Sequence, residues 1–251
     1  MSAPADGLLL DVRGLSKAFG GVRAVDNVDL ALRPGEIRCI IGPNGAGKST
    51  FFKLLLGSIR PDRGVIRFSG RDITRLQLHQ RTHLGMGIKF QNLGVYQAFT
   101  VHHNLRLPLQ HRLSGEAMER EIARLLESLH LSGTEDQLVG SLSHGQKQWL
   151  AIGMALAMKP SLLLLDEPTA GMGPEETRAT VELVETVHGQ GVTVLVVEHD
   201  MAFVRQLDAP ITVLHYGRVL AEGSLADIEH NDEVRRIYLG TTGRPRARRR
   251  R

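Results

Sequence analysis

Cysteine is almost missing from this chain of 251 residues: Cys39 stands alone, no internal disulfide can form, and a reducing compartment fits. Aromatic residues are scarce at 4%, which leaves little for a nucleic-acid surface that interleaves basic and stacking side chains. Long apolar runs are absent too. The best, residues 162–165 and 192–197, fall far short of the roughly 18 to 20 residues that cross a bilayer. The first residues show no basic stretch followed by an apolar one, so no secretory signal is read and a cytosolic location is expected. Basic charge is thin outside the last residues. The formal net charge is +4, but Arg244, Arg246, Arg248, Arg249, Arg250 and Arg251 close the chain. Removing those six from the 31 basic residues leaves 25 against 27 acidic ones, a net −2. The body is therefore nearly neutral, and residues 241–251 read as a solvated, disordered arginine-rich tail.

What is present is a body with 42% hydrophobic residues, enough for a substantial core. Continuous Leu and Val runs separated by helical spacing predict an α/β fold with a parallel sheet covered on both faces. Strands are expected at 8–12, 22–30, 36–41, 86–90, 162–166 and 192–198, with Gly20-Gly21 as a hairpin turn. From 100 to 130, Val101, Leu105, Leu109, Ile122, Leu125, Leu126 and Leu129 recur on helical faces, which predicts a helical subdomain. Helices are expected at about 145–158 and 174–188, and Trp149, one turn into the first of these, reads as core.

The chemistry is carried by Gly42-Pro43-Asn44-Gly45-Ala46-Gly47-Lys48-Ser49-Thr50, which fits G-x-x-x-x-G-K-[ST]. In that pattern glycines let backbone N–H groups close around phosphate oxygens, Lys48 adds a point charge and the Ser49 hydroxyl reaches Mg²⁺. A buried strand precedes it, and Ser49 to Leu56 follows with helix spacing and Gly57 as C-cap, the order that sets phosphates on a helix N-terminus. Four leucines at 162–165 deliver Asp166 and Glu167 to a strand end. With that strand beside the phosphate-loop strand, Asp166 is expected to hold Mg²⁺ through a water and Glu167 to polarise the attacking water. His199 ends another apolar strand at the same sheet edge, where an imidazole can touch a γ-phosphate or serve structure alone. Gln91 follows the strand at 86–90, placed to ligate Mg²⁺ or the attacking water. Phe19 can stack on adenine or pack in the core.

In this order, with Leu142-Ser143-His144-Gly145-Gln146 between Gln91 and Asp166, the motifs resemble those of the ATP-binding-cassette (ABC) ATPase family from residue 8 to about 240. The resemblance implies a P-loop NTPase (RecA-like) core with an N-terminal antiparallel β part and an inserted helical subdomain at about 95–160, in a single domain over 1–240. It implies ATP and Mg²⁺ as ligands. Phe19, Val25, Asn44, Gly45, Ala46, Gly47, Lys48, Ser49 and Thr50 would hold the nucleotide. Ser143, Gly145 and Gln146 would cap the γ-phosphate of a second ATPase subunit, a paralogue or another copy, so that each chain owns two half-sites. Ser49, Gln91 and Asp166 would hold the metal, and Glu167, His199 and Gln91 would act in hydrolysis. Two residues depart from the family pattern: His144 where most relatives have glycine, and Gly173 where many have aspartate.

Residues 141–150, 213–224 and 237–240 look like the branched-chain amino acid and urea importer group, closest to the urea type. That implies a peripheral position on the inner face of the cell membrane, permease partners and, indirectly, a substrate-binding protein outside. Such subunits do not touch the cargo, so the urea reading is analogy. Lipopolysaccharide-export ATPases share the single-cassette size. A nucleic-acid or protein-assembly ATPase would usually fuse two cassettes or insert long arms, and no nucleic-acid partner is expected.

Overall fold

The computed structural model describes residues 7–89, 94–110 and 112–239. Gln91, the end of the strand expected at 86–90 and the arginine tail lie outside the described residues. Strand β1 (Leu10–Phe19) turns at Gly20-Gly21, both at positive φ, into β2 (Val22–Leu32). The two pair antiparallel, Leu10 opposite Leu32 and Phe19 opposite Val22. The strands outrun the expected 8–12 and 22–30 because their polar outer residues still serve the ladder. β3 (Ile37–Ile41) leads through the phosphate loop into α1 (Lys48–Leu56), which stops at Gly57 in the left-handed region, φ 74°. β4 (Arg63–Phe68) and β5 (Arg71–Asp72) complete a four-stranded antiparallel sheet in the order β2-β1-β4-β5.

After α2 (Leu78–His83) and β6 (Met86–Lys89) come three helices: α3 (Val101–Leu109), α4 (Gly115–Ser128) and α5 (His144–Leu156). The chain then alternates β7 (Leu162–Asp166), α6 (Pro174–Gly189), β8 (Thr193–Val197), α7 (Met201–Leu207) and β9 (Ile211–His215). β10 (Arg218–Gly223), α8 (Leu225–His230) and α9 (Asp232–Leu239) close it. The second sheet has the order β10-β9-β3-β8-β7-β6, parallel except for the β9–β10 hairpin.

That order corrects one expectation. β7, which carries Asp166, does not lie beside the phosphate-loop strand; β8 sits between them, with Val197 opposite both Ile40 and Asp166. The reason is burial: all five residues of β8 are buried, and a strand apolar on both faces belongs in the middle of a sheet.

Two cores follow from the two-residue period of these strands. Leu162, Leu164, Leu195, Val197 and Ile40 face α1 and the antiparallel sheet, where they pack with Phe51, Phe52, Val28 and Phe68. Leu163, Leu165, Val194, Val196 and Cys39 face the other way, toward the Leu105, Leu125, Ile152, Val184 and Phe203 side chains of the helices. Each fully buried leucine contributes about 1.5 to 3 kcal/mol. Cys39 is a core residue, its thiol pushed up to about 12 by burial, and Trp149 is core as its position predicts, donating from Nε1 to Thr180 Oγ1 on α6 (2.9 Å).

Candidate functional site

The sheet places three loops at one edge, and the phosphate loop is the most constrained of them. Gly47 holds φ 101°, and a Cβ there would strike the Ala24 carbonyl, so only glycine permits this turn. It is the N-cap of α1 and brings no side chain to close the helix. The amides of Gly45, Gly47, Lys48, Ser49 and Thr50 meet no hydrogen-bond acceptor among the described residues. Unpaired amides at a helix N-terminus attract anions. Ala46 is fixed from both sides, its N–H donating to Pro43 O (3.1 Å) and its carbonyl accepting from Gly217 N (2.9 Å). Lys48 is buried and donates to the carbonyls of Gly42 (2.5 Å) and Pro43 (3.2 Å). Burial holds its pKa below the ordinary lysine range, opposed by the charges of Glu167 and Asp166. An ammonium has three protons, so one remains for a phosphate. Asn44, Gly45 and Ser49 are exposed around this cradle, and the arrangement fits a nucleotide's phosphates.

β7 delivers the carboxylates. Asp166 is pushed up to about 6, first by burial and then by the neighbouring charge of Glu167. Glu167 adopts φ 46°, a left-handed conformation costing a non-glycine residue roughly 1 to 3 kcal/mol. Its amide donates to Val197 O on β8 (2.9 Å). His199 Nδ1 lies 3.3 Å from Glu167 Oε1, with the imidazole 57% exposed. Among the described residues no cluster of three or more His, Cys, Asp or Glu side chains is set to hold a metal. The hydroxyl and carboxylate expected to serve Mg²⁺, on Ser49 and Asp166, would act together with phosphate oxygens.

Two buried charges behind this edge escaped the sequence reading. Glu198 is 0% exposed and accepts from Thr169 Oγ1 (2.5 Å) and N (3.2 Å), His199 N (2.7 Å) and Asp200 N (3.0 Å). Lys89, at the end of β6, donates to the carbonyls of Asp166 (3.0 Å) and Glu167 (3.1 Å). Burial lowers its pKa to about 8 against the charges of Asp166, Glu198 and Glu167. The available signal was a charge closing each apolar strand, Met86-Gly87-Ile88-Lys89 and Thr193 to Glu198.

The 142–146 motif lies elsewhere. Ser143 N-caps α5 with a capping box: its Oγ accepts from Gln146 N (3.1 Å) and Gln146 Oε1 accepts from Ser143 N (3.0 Å). Ser143 Oγ also donates to Glu176 Oε1 (3.2 Å), whose other oxygen accepts from Gly173 N (3.2 Å). Gly173 has no side chain to cap α6, so Glu176 alone serves that end. A Cβ at Gly145 would collide with this carboxylate. Ser143 and His144 are exposed, and neither is bonded to the phosphate loop. Phe19, at 50% exposure, stands outside both cores with Lys17 Nζ 5.5 Å from its ring centre. Val25 is 1% exposed, its side chain in the core between α1 and the antiparallel sheet.

A P-loop edge with two strand-end carboxylates, a histidine beside one of them and a separate capped Ser-His-Gly-Gln helix defines an ABC-type ATPase. The ABC transporter family model matches residues 25–170. The chain is similar to the high-affinity branched-chain amino acid transport ATP-binding protein BraF of Pseudomonas aeruginosa, at 36% identity over 92% of this chain and 98% of that one. It is also similar to the lipopolysaccharide export system ATP-binding protein LptB of Escherichia coli strain K12, at 34% identity over 92% and 97%. Among solved structures, the ADP conformation of MJ1267, an ATP-binding cassette of an ABC transporter, superposes with a TM-score of 0.84 at 29% identity, over 93% of this chain and 99% of that one. The chain belongs to the ABC transporter family and is an ATP-hydrolysing subunit of such a transporter. No helix among the described residues is long and apolar enough to cross a membrane.

Proposed function

We propose that this subunit powers an importer by binding ATP at its phosphate loop and hydrolysing it against Ser143, Gly145 and Gln146 of a second ATPase subunit. One observation carries the reading: the chain bears a nucleotide cradle with a Glu167–His199 pair and, apart from it, an exposed α5 N-terminus not bonded to that cradle. Residues 1–240 form one nucleotide-binding domain with a helical subdomain at about 95–160. Phe19 offers the adenine a ring face. Residues 44–50 hold the phosphates, with Lys48 kept on the Gly42 and Pro43 carbonyls and giving its third proton to the γ-phosphate. Glu167 orients the water and takes up its proton, and His199 steadies the γ-phosphate from the other side of that carboxylate. Ser49, Asp166 and Gln91 would hold Mg²⁺ together with phosphate oxygens, and the ion would neutralise charge on the leaving group. The subunit works on the inner face of the cell membrane with permease partners and a substrate-binding protein beyond them.

For the cargo, the similarity to the branched-chain amino acid transport subunit supports that importer type over the urea type. The similarity to LptB supports the same engine on an exporter; the cargo itself is read by the permease. The test of the engine is Glu167→Gln. ATP should still bind while hydrolysis slows by roughly 10² to 10⁴-fold, the range for a lost general base, and ATP-dependent dimers should accumulate on size-exclusion chromatography. A wild-type rate removes Glu167 from the mechanism.

A further inference from the structure

Lys89 closes β6 at the margin of the parallel sheet and is 1% exposed. A lysine so deeply buried has lost its hydration and needs replacement partners. Two carbonyl oxygens supply them, those of Asp166 and Glu167. The register explains the reach: Lys89 pairs with Leu165, so its side chain extends past the end of β7 and over the next two peptide groups. An apolar side chain would fill this place at lower desolvation cost. What it would lack is a grip on those carbonyls.

The two carbonyls bracket one residue. The Asp166 carbonyl belongs to the peptide plane before Glu167 and the Glu167 carbonyl to the plane after it, so holding both fixes φ and ψ of Glu167. That residue sits at φ 46°, a conformation that persists only where its surroundings determine it. The Val197 carbonyl takes the Glu167 amide, and Lys89 holds the remaining side.

The geometry points to Lys89 as a positioning residue for hydrolysis, whose ammonium clamps the peptide planes on either side of Glu167 and so aims its carboxylate toward His199. The proposal rests on the reading of Glu167 as the group that orients the water. Among the described residues Lys89 makes no hydrogen bond to the phosphate loop, so its loss lowers kcat and leaves the KM for ATP in place.

The test compares Lys89→Met, Glu167→Gln and the double variant, each with its partner ATPase subunit, by steady-state kinetics, calorimetric ATP binding and amide exchange at Glu167. Lys89→Met should lower kcat by about 10- to 100-fold, the scale of an ångström-sized misplacement. KM and ATP affinity should stay within about threefold, and exchange of the Glu167 amide should accelerate. In the Glu167→Gln background the same change should cost less than about threefold, because residues acting as one unit are not additive. A wild-type kcat in Lys89→Met overturns the proposal, as does a full multiplicative loss in the double variant. A wild-type rate in Glu167→Gln instead overturns the reading beneath it. Should Lys89→Met fail to fold, Lys89→Gln, which keeps one donor amide, is judged by the same criteria.

Discussion

At the phosphate-loop edge Lys48, the Glu167 backbone and the loops after β7 and β8 are braced from behind, whereas at the start of α5 Ser143 faces solvent and is held by its own capping box and one carboxylate. Lys48 is tied to two loop carbonyls, the Glu167 backbone to Val197 and Lys89, and the loops after β7 and β8 to the buried Glu198. Ser143, by contrast, has its own capping box and the partly exposed Glu176. The difference matches what each region is asked to do. Hydrolysis needs charges held in place before substrate arrives, since reorganisation during the reaction raises the barrier. On the proposed reading, a surface that engages a second subunit needs its donors accessible, and the Ser143 hydroxyl would leave Glu176 for a phosphate oxygen. The Glu176 carboxylate stands where an anion would sit beside the N-terminus of α5, a position the macrodipole favours.

Two substitutions sharpen the comparison. Glu198→Ala removes a buried acceptor from Thr169, His199 and Asp200 at once, leaving donors at three residues unpaired at about 1 to 3 kcal/mol for each buried group. A loss of about 3 kcal/mol or more is expected in denaturant unfolding, together with loss of ATPase activity. A loss below 1 kcal/mol would show that the brace is dispensable. Glu176→Ala strips a partly exposed cap and should cost only about 0.5 to 1 kcal/mol. Thermal and denaturant unfolding should therefore barely register it, and a loss as large as that of Glu198→Ala would erase the contrast between the two regions.

Much of the site was legible from local pattern. The phosphate loop and the 162–166 strand with Asp166 and Glu167 each lie within a dozen residues of the signals that announce them, and glycine and apolar-run rules act over that range. The strand order was not, because nothing local to residues 162–166 says that β8 intervenes before β3. Lys89, Glu198 and Glu176 escaped for a related reason. Their partners lie 77, 29 and 33 residues away in sequence, and a charge at a strand end or in a first helical turn looks the same whether it meets water or a distant loop. Phe19 shows the limit from the other side: its neighbours left stacking and core packing equally open, and its exposure in the fold removes only the core reading.

The central claim is that Ser143 serves an ATP bound by another subunit while the phosphate loop of its own chain binds ATP without it. The direct measurement is Ser143→Ala in two assays on one preparation: calorimetric ATP binding by the isolated subunit, and steady-state turnover with its partner ATPase. Affinity should stay within about threefold of wild type, and turnover should fall by about 10-fold or more, the loss of one charge-assisted hydrogen bond worth roughly 1.5 to 3 kcal/mol. Turnover at the wild-type rate, or affinity lost in step with turnover, would contradict a site shared between two chains.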